Sequence, residues 1–258
     1  MTYHATPGHV VDSETYYFIS NILTITGDTR LLVIPTTTTG TTVADVSKNA
    51  HNLTSNESVA NWVVHTGRGV NYDLDGAADL MYHADNADFT FGNGVADSAF
   101  SVFALINSDS SSGDNYIISK HDFGSSDFEW HLHLTNGNPW FQLHDDSAPG
   151  NIARYRNSAI TDGTWYFIGG TYDGSAGVGG IKVYLDGVQV DDTSSTGGAY
   201  TAMEDTGAGL SVGAMLDTSP AGASFFNGKI AAVCICAKEL APCEMWALSK
   251  LVRGYFGV

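Results

Sequence analysis

Basic residues, glutamate, cysteine, proline and long apolar runs are all scarce in this chain of 258 residues, and each shortage excludes something. Eleven Lys and Arg stand against 28 Asp and Glu, a formal net charge of −17. A field of that sign repels phosphate backbones and anionic headgroups at long range, which disfavours nucleic acid and anionic membranes as partners. The three cysteines, Cys234, Cys236 and Cys243, crowd into one short stretch. An odd, clustered set does not read as a disulfide framework. Cys234 and Cys236, two residues apart on a strand, read instead as buried free thiols on one face. No window reaches the ~18 apolar residues of a membrane span, so no membrane insertion is expected. The opening MTYHATPGHVVDSETYYF carries neither the basic nor the apolar region of a signal peptide, and a soluble chain is expected.

What is abundant points to strands and turns. Only 6 of the 28 acidic residues are glutamate, leaving 22 aspartates, and aspartate favours turns and caps over helix interiors. Glycine is plentiful, at 29. Hairpin dipeptides recur at Asp75-Gly76, Asn93-Gly94, Asn136-Gly137, Asp162-Gly163, Asp173-Gly174, Asp186-Gly187 and Asn227-Gly228. Between them lie short β-branched and aromatic segments such as Phe100 to Ile106, Trp165 to Tyr172 and Ile181 to Leu185. This pattern predicts an all-β sandwich or barrel. Only Glu239 to Val252 breaks it, with Leu240, Trp246, Leu248 and Leu251 near helical spacing after Pro242, and a short C-terminal helix is expected there. Residues 1–42 read as an N-terminal extension, partly strand, with Tyr16 to Ile19 and Leu31 to Ile34 as its strand candidates before the Thr36 to Thr42 tract.

From Val43 onward the ordered segments resemble a known family. Val43 to Leu53 (VADVSKNAHNL) is similar to an opening Asp-x-Ser strand and turn, and Val70 to Gly76 (VNYDLDG) to an apolar strand ending in Asp-Gly. Phe100 to Ile106 (FSVFALI) and Tyr116 to Lys120 (YIISK) follow in order. Most specific is Trp165 to Gly174 (WYFIGGTYDG) followed by Ile181 to Gly187 (IKVYLDG), and Phe226 to Ile230 precedes the closing helix. The series resembles the laminin-G-like family of the concanavalin A-like lectins and glucanases. The resemblance implies a two-sheet antiparallel jelly-roll β-sandwich over residues 43–258. Ala231 and Ala232 stand where members often carry an acidic residue near a calcium site.

Hydrolytic relatives in that superfamily place paired carboxylates on one strand, because acid and nucleophile flank the scissile bond ~5 Å apart. The six glutamates here are scattered, and neither Gly-x-Ser-x-Gly nor His-Glu-x-x-His occurs. A non-catalytic carbohydrate-binding, adhesion or display module is therefore expected, with a glycan or another protein surface as partner. A virion or phage surface (decoration or fibre) protein, as a homo-oligomer or particle component, is one setting for it. The alternative is a glycoside hydrolase or lyase whose site is assembled from distant residues.

The most informative stretch is Phe128 to Asp145. A two-residue turn at Asn136-Gly137 pairs His133 with Trp140, His131 with Gln142 and Glu129 with His144 on one face. The other face pairs Leu132 with Phe141 and Trp130 with Leu143, all apolar. Trp140 then reads as a stacking platform for a sugar, with His131, His133, Gln142, Glu129 and His144 as polar contacts. Imidazoles two apart beside a carboxylate also suit zinc, and a face covered by a loop, arm or neighbouring subunit is the third reading. No cofactor is required. Calcium has candidates in the acidic loops, foremost Asp73, Asp75 and Asp79, with Asp85/Asp88 and Asp109/Asp114 behind them.

Overall fold

The computed structural model describes residues 3–4, 10–35, 40–56, 62–64, 70–218 and 221–258, with backbone alone at 3–4, 10–11 and 62–64. Residues 36–39 of the threonine tract and 5–9 of the extension lie outside it. The described residues form two large sheets, of eleven and eight strands, antiparallel apart from one pairing of Asp122 with Leu216. This is the expected jelly-roll sandwich. The eleven-stranded sheet holds, side by side, the strands Asp114–Asp122, Asp127–Thr135, Asn138–Asp145 and Gly150–Tyr155. The eight-stranded sheet is built around Phe100–Ser108, Trp165–Tyr172, Ile181–Leu185 and Asn227–Cys236.

The side-chain period of two explains the layers. Phe100, Val102, Ala104 and Ile106 meet Trp130, Leu132, Phe141 and Leu143 in the core between the sheets. Phe103, Leu105 and Phe167, together with Cys234 and Cys236, face the other way into a second apolar layer. Strand 100–108 is thus buried on both faces, which is why FSVFALI is almost uninterruptedly apolar. The glycine pair of WYFIGGTY has the same origin. A Cβ on Gly170 would stand 2.4 Å from the Phe141 ring across the core, and one on Gly169 would stand 2.4 Å from the Met245 methyl on the opposite side.

Two helices cover the outer face of the eight-stranded sheet. The expected one is α2, Pro242–Phe256, whose Glu244 carboxylate accepts the Ala241 N–H at 2.8 Å. The other corrects the sequence reading: Tyr16 to Ile19 is not strand but part of helix α1, Ser13–Thr26. Asp12 caps it by accepting the Thr15 N–H at 2.7 Å, and Gly27 ends it at φ 69°. Phe18, Ile19, Ile22 and Thr26 share the buried face, a helical spacing that the local run of aromatic residues hid. Phe18 stacks on Tyr255 of α2, with ring centroids 3.8 Å apart. Thr29–Val33 is a strand, paired with 227–236. Asp45, 2% exposed, fastens this segment by accepting N–H groups from Leu32, Ser47 and His51 and the Ser47 hydroxyl. The segment from α1 to residue 34 is therefore a layer of the fold, in which Phe18, Ile19 and Ile22 are buried and Tyr17 stays 61% exposed.

Cys234 and Cys236 are buried free thiols, and burial pushes Cys236 up to about 12 and Cys234 well above the ordinary range; Cys243 is free and exposed. Among the described residues no helix is long and apolar enough to cross a membrane.

Candidate functional site

Asn136 and Gly137 adopt φ 49° and 79°, the left-handed pair of a two-residue hairpin turn. They fix the register Thr135 with Asn138, His133 with Trp140, His131 with Gln142, Leu132 with Phe141 and Trp130 with Leu143. Strand 114–122 lies on one side of this hairpin and 150–155 on the other. Tyr116 is opposite His133, His121 opposite Phe128, Asn151 opposite His144 and Tyr155 opposite Trp140. The face turned away from the core is therefore a four-strand surface rich in rings.

Glu129 leaves that face. Lys120 pairs with Trp130 while His121 pairs with Phe128, so Glu129 is the extra residue of a β-bulge. The strict alternation that would align it with His131 is broken, and its carboxylate turns to the buried Lys120 ammonium, 2.7 Å away. Thr206 donates to the same oxygen from its N–H and hydroxyl, and the ammonium also reaches Asp85 and the Ala208 carbonyl. Desolvation still holds the Glu129 carboxyl above its usual range. Glu129 is thus part of a buried polar knot and no partner of the histidines.

The histidines gather more tightly than the hairpin alone predicts. His131 Nε2 lies 3.0 Å from His144 Nε2, and His131 Nδ1 lies 3.0 Å from His133 Nδ1. His133 Nε2 is 3.0 Å from the Thr135 hydroxyl, which donates to Asp114 at 2.8 Å. His121, which the sequence reading passed over, completes the group from the adjacent strand, and its buried Nδ1 has no hydrogen-bond partner. Burial is the main force on all of them. It pushes His121 down to about 3, His133 and His144 to about 4, and His131 well below the ordinary imidazole range. These are neutral rings at physiological pH.

A cleft of about 550 Å³ opens beside the cluster, lined by His121, His144, Phe123, Phe128, Asp146 and Asn151 among others. Phe123 is 62% exposed. Asp145 lines the cleft too, but its oxygens are engaged by the N–H groups of Ala148, Thr201 and Ala202 and the Ser147 hydroxyl. Asp146 is held above its usual range by desolvation and by neighbouring Glu204, Asp127 and Asp145. Of the residues expected to form one site, His144 alone lines this cleft, with His131 directly behind it. Trp140 stands further along the strand and is not an open platform: Tyr155 stacks on it, centroids 3.7 Å apart and planes 4° from parallel. Gln142 is half-buried and also outside the lining.

Among the described residues the calcium candidates form no cluster of ligand oxygens, although Asp73, Asp75 and Asp109 line one small cleft in which Lys229 pairs with Asp73 and Asp109. Asp75 accepts N–H groups from Ala77, Ala78 and Asp79 as a turn cap, Asp79 accepts the Asp75 N–H, and Asp73 faces the Lys229 ammonium at 3.5 Å. Asp88 is bridged to Arg30 and His51, and Asp85 to Lys120. Asp109 pairs with Lys229, and Asp114 accepts from Thr135.

Comparison with known proteins agrees with the architecture. The family model Laminin_G_3, described as concanavalin A-like lectin/glucanases superfamily, matches residues 75–245. The match starts later than the resemblance read from Val43, although the strands at 42–43 and 53–55 belong to the same eleven-stranded sheet. No curated protein sequence matches. Among solved structures, the chain is similar to the binding domain of Paraclostridial Mosquitocidal Protein 1, at TM-score 0.61 and 14% identity over 88% of this chain and 52% of that one. It is similar to the botulinum neurotoxin serotype G binding domain at TM-score 0.59 and 12% identity, over 86% and 50% of the two chains. It is also similar to the serotype D ligand binding domain in complex with N-acetylneuraminic acid, at TM-score 0.56 and 14% identity, over 89% and 52%. The chain thus spans about half the length of these structures.

Proposed function

Since the chain belongs to the concanavalin A-like lectin/glucanases superfamily, we propose that it is a non-catalytic carbohydrate-binding module whose ligand sits in the cleft between Phe123 and Asn151. The observation that carries this reading is the exposed Phe123 ring, set in one cleft with Phe128, His144, Asp146 and Asn151. An aromatic face covers the C–H side of a pyranose while imidazole, amide and carboxylate take its hydroxyls. One of the similar structures holds N-acetylneuraminic acid. Here Asp114, Asp145 and Asp146 line the cleft of a chain with net charge −17, so an anionic sugar is repelled and a neutral glycan is the fitting class.

The hydrolase alternative requires two carboxyl groups across a bond. Asp145, with its oxygens engaged by four donors, is unsuited to either role, which leaves Asp146 and Asp114, the latter accepting the Thr135 hydroxyl, as the acids of the lining. A virion-surface setting would need an association surface, and of the α1 side chains Phe18, Ile19 and Ile22 are already buried while Tyr17 is exposed. Screening a panel of neutral and sialylated oligosaccharides for retention and for product release tests the reading. Retention of neutral glycans without cleavage is expected; released product would establish the hydrolase, and retention of sialylated ligands alone would overturn the proposed class.

A further inference from the structure

We propose that His121, His131 and His144 form a transition-metal site of the zinc type at the inner wall of the cleft. Their three ligating nitrogens come from three adjacent strands and lie within 4.8 Å of one another. His121 is 6% exposed and His131 2%. The donor set is entirely nitrogen, which suits zinc, cobalt, nickel or copper and does not suit calcium or magnesium, whose ligands are oxygens.

Proton placement follows from the acceptor at the end of the chain of contacts. Asp114 only accepts, and the Thr135 hydroxyl donates its one proton there. Thr135 therefore accepts from His133 Nε2–H, which leaves the neutral His133 with a bare Nδ1. That Nδ1 accepts from His131 Nδ1–H, and His131 Nε2 is left as a lone pair directed at His144. This arrangement is the one a metal-binding imidazole uses: one nitrogen held as N–H by a hydrogen-bonded chain ending on a carboxylate, the other free to ligate. On the far side, His121 Nδ1 is a buried nitrogen with no protein partner.

The His131 and His144 pair is close to the required spacing, whereas the three nitrogens together span up to 4.8 Å, so His121 must close inward on binding. Tetrahedral ligands at 2.0–2.1 Å from zinc stand about 3.3 Å apart, and His131 Nε2 and His144 Nε2 stand 3.0 Å apart. Parting these rings by a few tenths of an ångström, with the His144 proton moving from Nε2 to Nδ1 as that neutral ring changes tautomer, admits the ion between them. His121 and His144 line the cleft, so the fourth position opens onto it and takes water or a ligand oxygen. His133 and Thr135 are positioning residues in this scheme. The sequence reading put zinc on His131 and His133 with Glu129; the bulge removes Glu129 and the hydrogen-bonded chain engages both nitrogens of His133.

The test is direct binding of Zn²⁺ to the chelator-treated full chain by calorimetry, with Co²⁺ as a spectroscopic probe. One ion per chain is expected, with the visible absorption of a tetrahedral cobalt site. His144→Ala and His121→Ala should weaken Zn²⁺ by at least about a hundredfold with unchanged circular dichroism, and Thr135→Val by about tenfold to a hundredfold. His83→Ala, outside the cluster, should leave binding unchanged. Absence of binding by the folded wild type overturns the proposal, as does full affinity in both His121→Ala and His144→Ala. Because metal is read directly and without sugar, either result leaves the glycan reading to its own test.

Discussion

Acid should unfold this protein well above the pH at which carboxylates are lost. His121 is held at about 3, His133 and His144 at about 4 and His131 well below the ordinary value, all chiefly by desolvation. In the unfolded chain each titrates near 6.5. Between these limits the unfolded state binds the extra protons, so stability is fully present above about pH 6.5 and falls as pH falls toward the folded values. Each histidine contributes up to about 1.4 kcal/mol per pH unit, and four together approach about 5 kcal/mol per unit. That is comparable with the whole stability of an ordinary domain, about 5–15 kcal/mol. Urea unfolding of the chelator-treated protein at pH 7.5, about 6 and about 5 should show the midpoint dropping steeply over the last interval. The slope should ease in His144→Gln, which removes one of the four proton acceptors. A midpoint that is flat from pH 7.5 to 5 would refute the buried, neutral cluster.

Lys120→Met should cost about 3–5 kcal/mol, because it strands the Glu129 carboxylate among buried groups. Adding Glu129→Gln should restore part of the loss, and denaturant unfolding of both variants measures it. Gly170→Ala should cost about 1–3 kcal/mol by driving a methyl into the Phe141 ring, seen as a lowered thermal midpoint. Gly27→Ala, with open space around its Cβ, should cost only the strain of its left-handed backbone.

Much of the sandwich was legible because its signals are local. The Asn136-Gly137 turn and the alternating Leu132, Phe141, Leu143 and Trp130 determine the hairpin register with no tertiary information. Other features were not. Helix α1 was hidden because Tyr16, Tyr17, Phe18 and Ile19 have the composition of a strand, and only packing against Tyr255 and the outer layer shows which of them are buried. The bulge at Glu129 is invisible in an alternation pattern, yet it decides whether that carboxylate meets histidine or lysine. Trp140 looked like a free platform because the strand that supplies Tyr155 lies beyond the hairpin. His121 follows directly on the YIISK strand, but its place opposite Phe128 depends on the same bulge, since regular pairing beyond Lys120 would have put it opposite Glu129.

The central claim, a glycan held against Phe123 in the cleft, is tested most directly by measuring affinity for a retained neutral oligosaccharide in wild type, Phe123→Ala and Trp140→Ala. Loss of the Phe123 ring should weaken binding by about 1–3 kcal/mol without affecting folding, since that side chain is exposed. Trp140→Ala should leave the affinity nearly unchanged and instead lower stability through its lost stacking on Tyr155. Undiminished binding in Phe123→Ala together with lost binding in a folded Trp140→Ala would contradict the account and return the site to the far end of the hairpin.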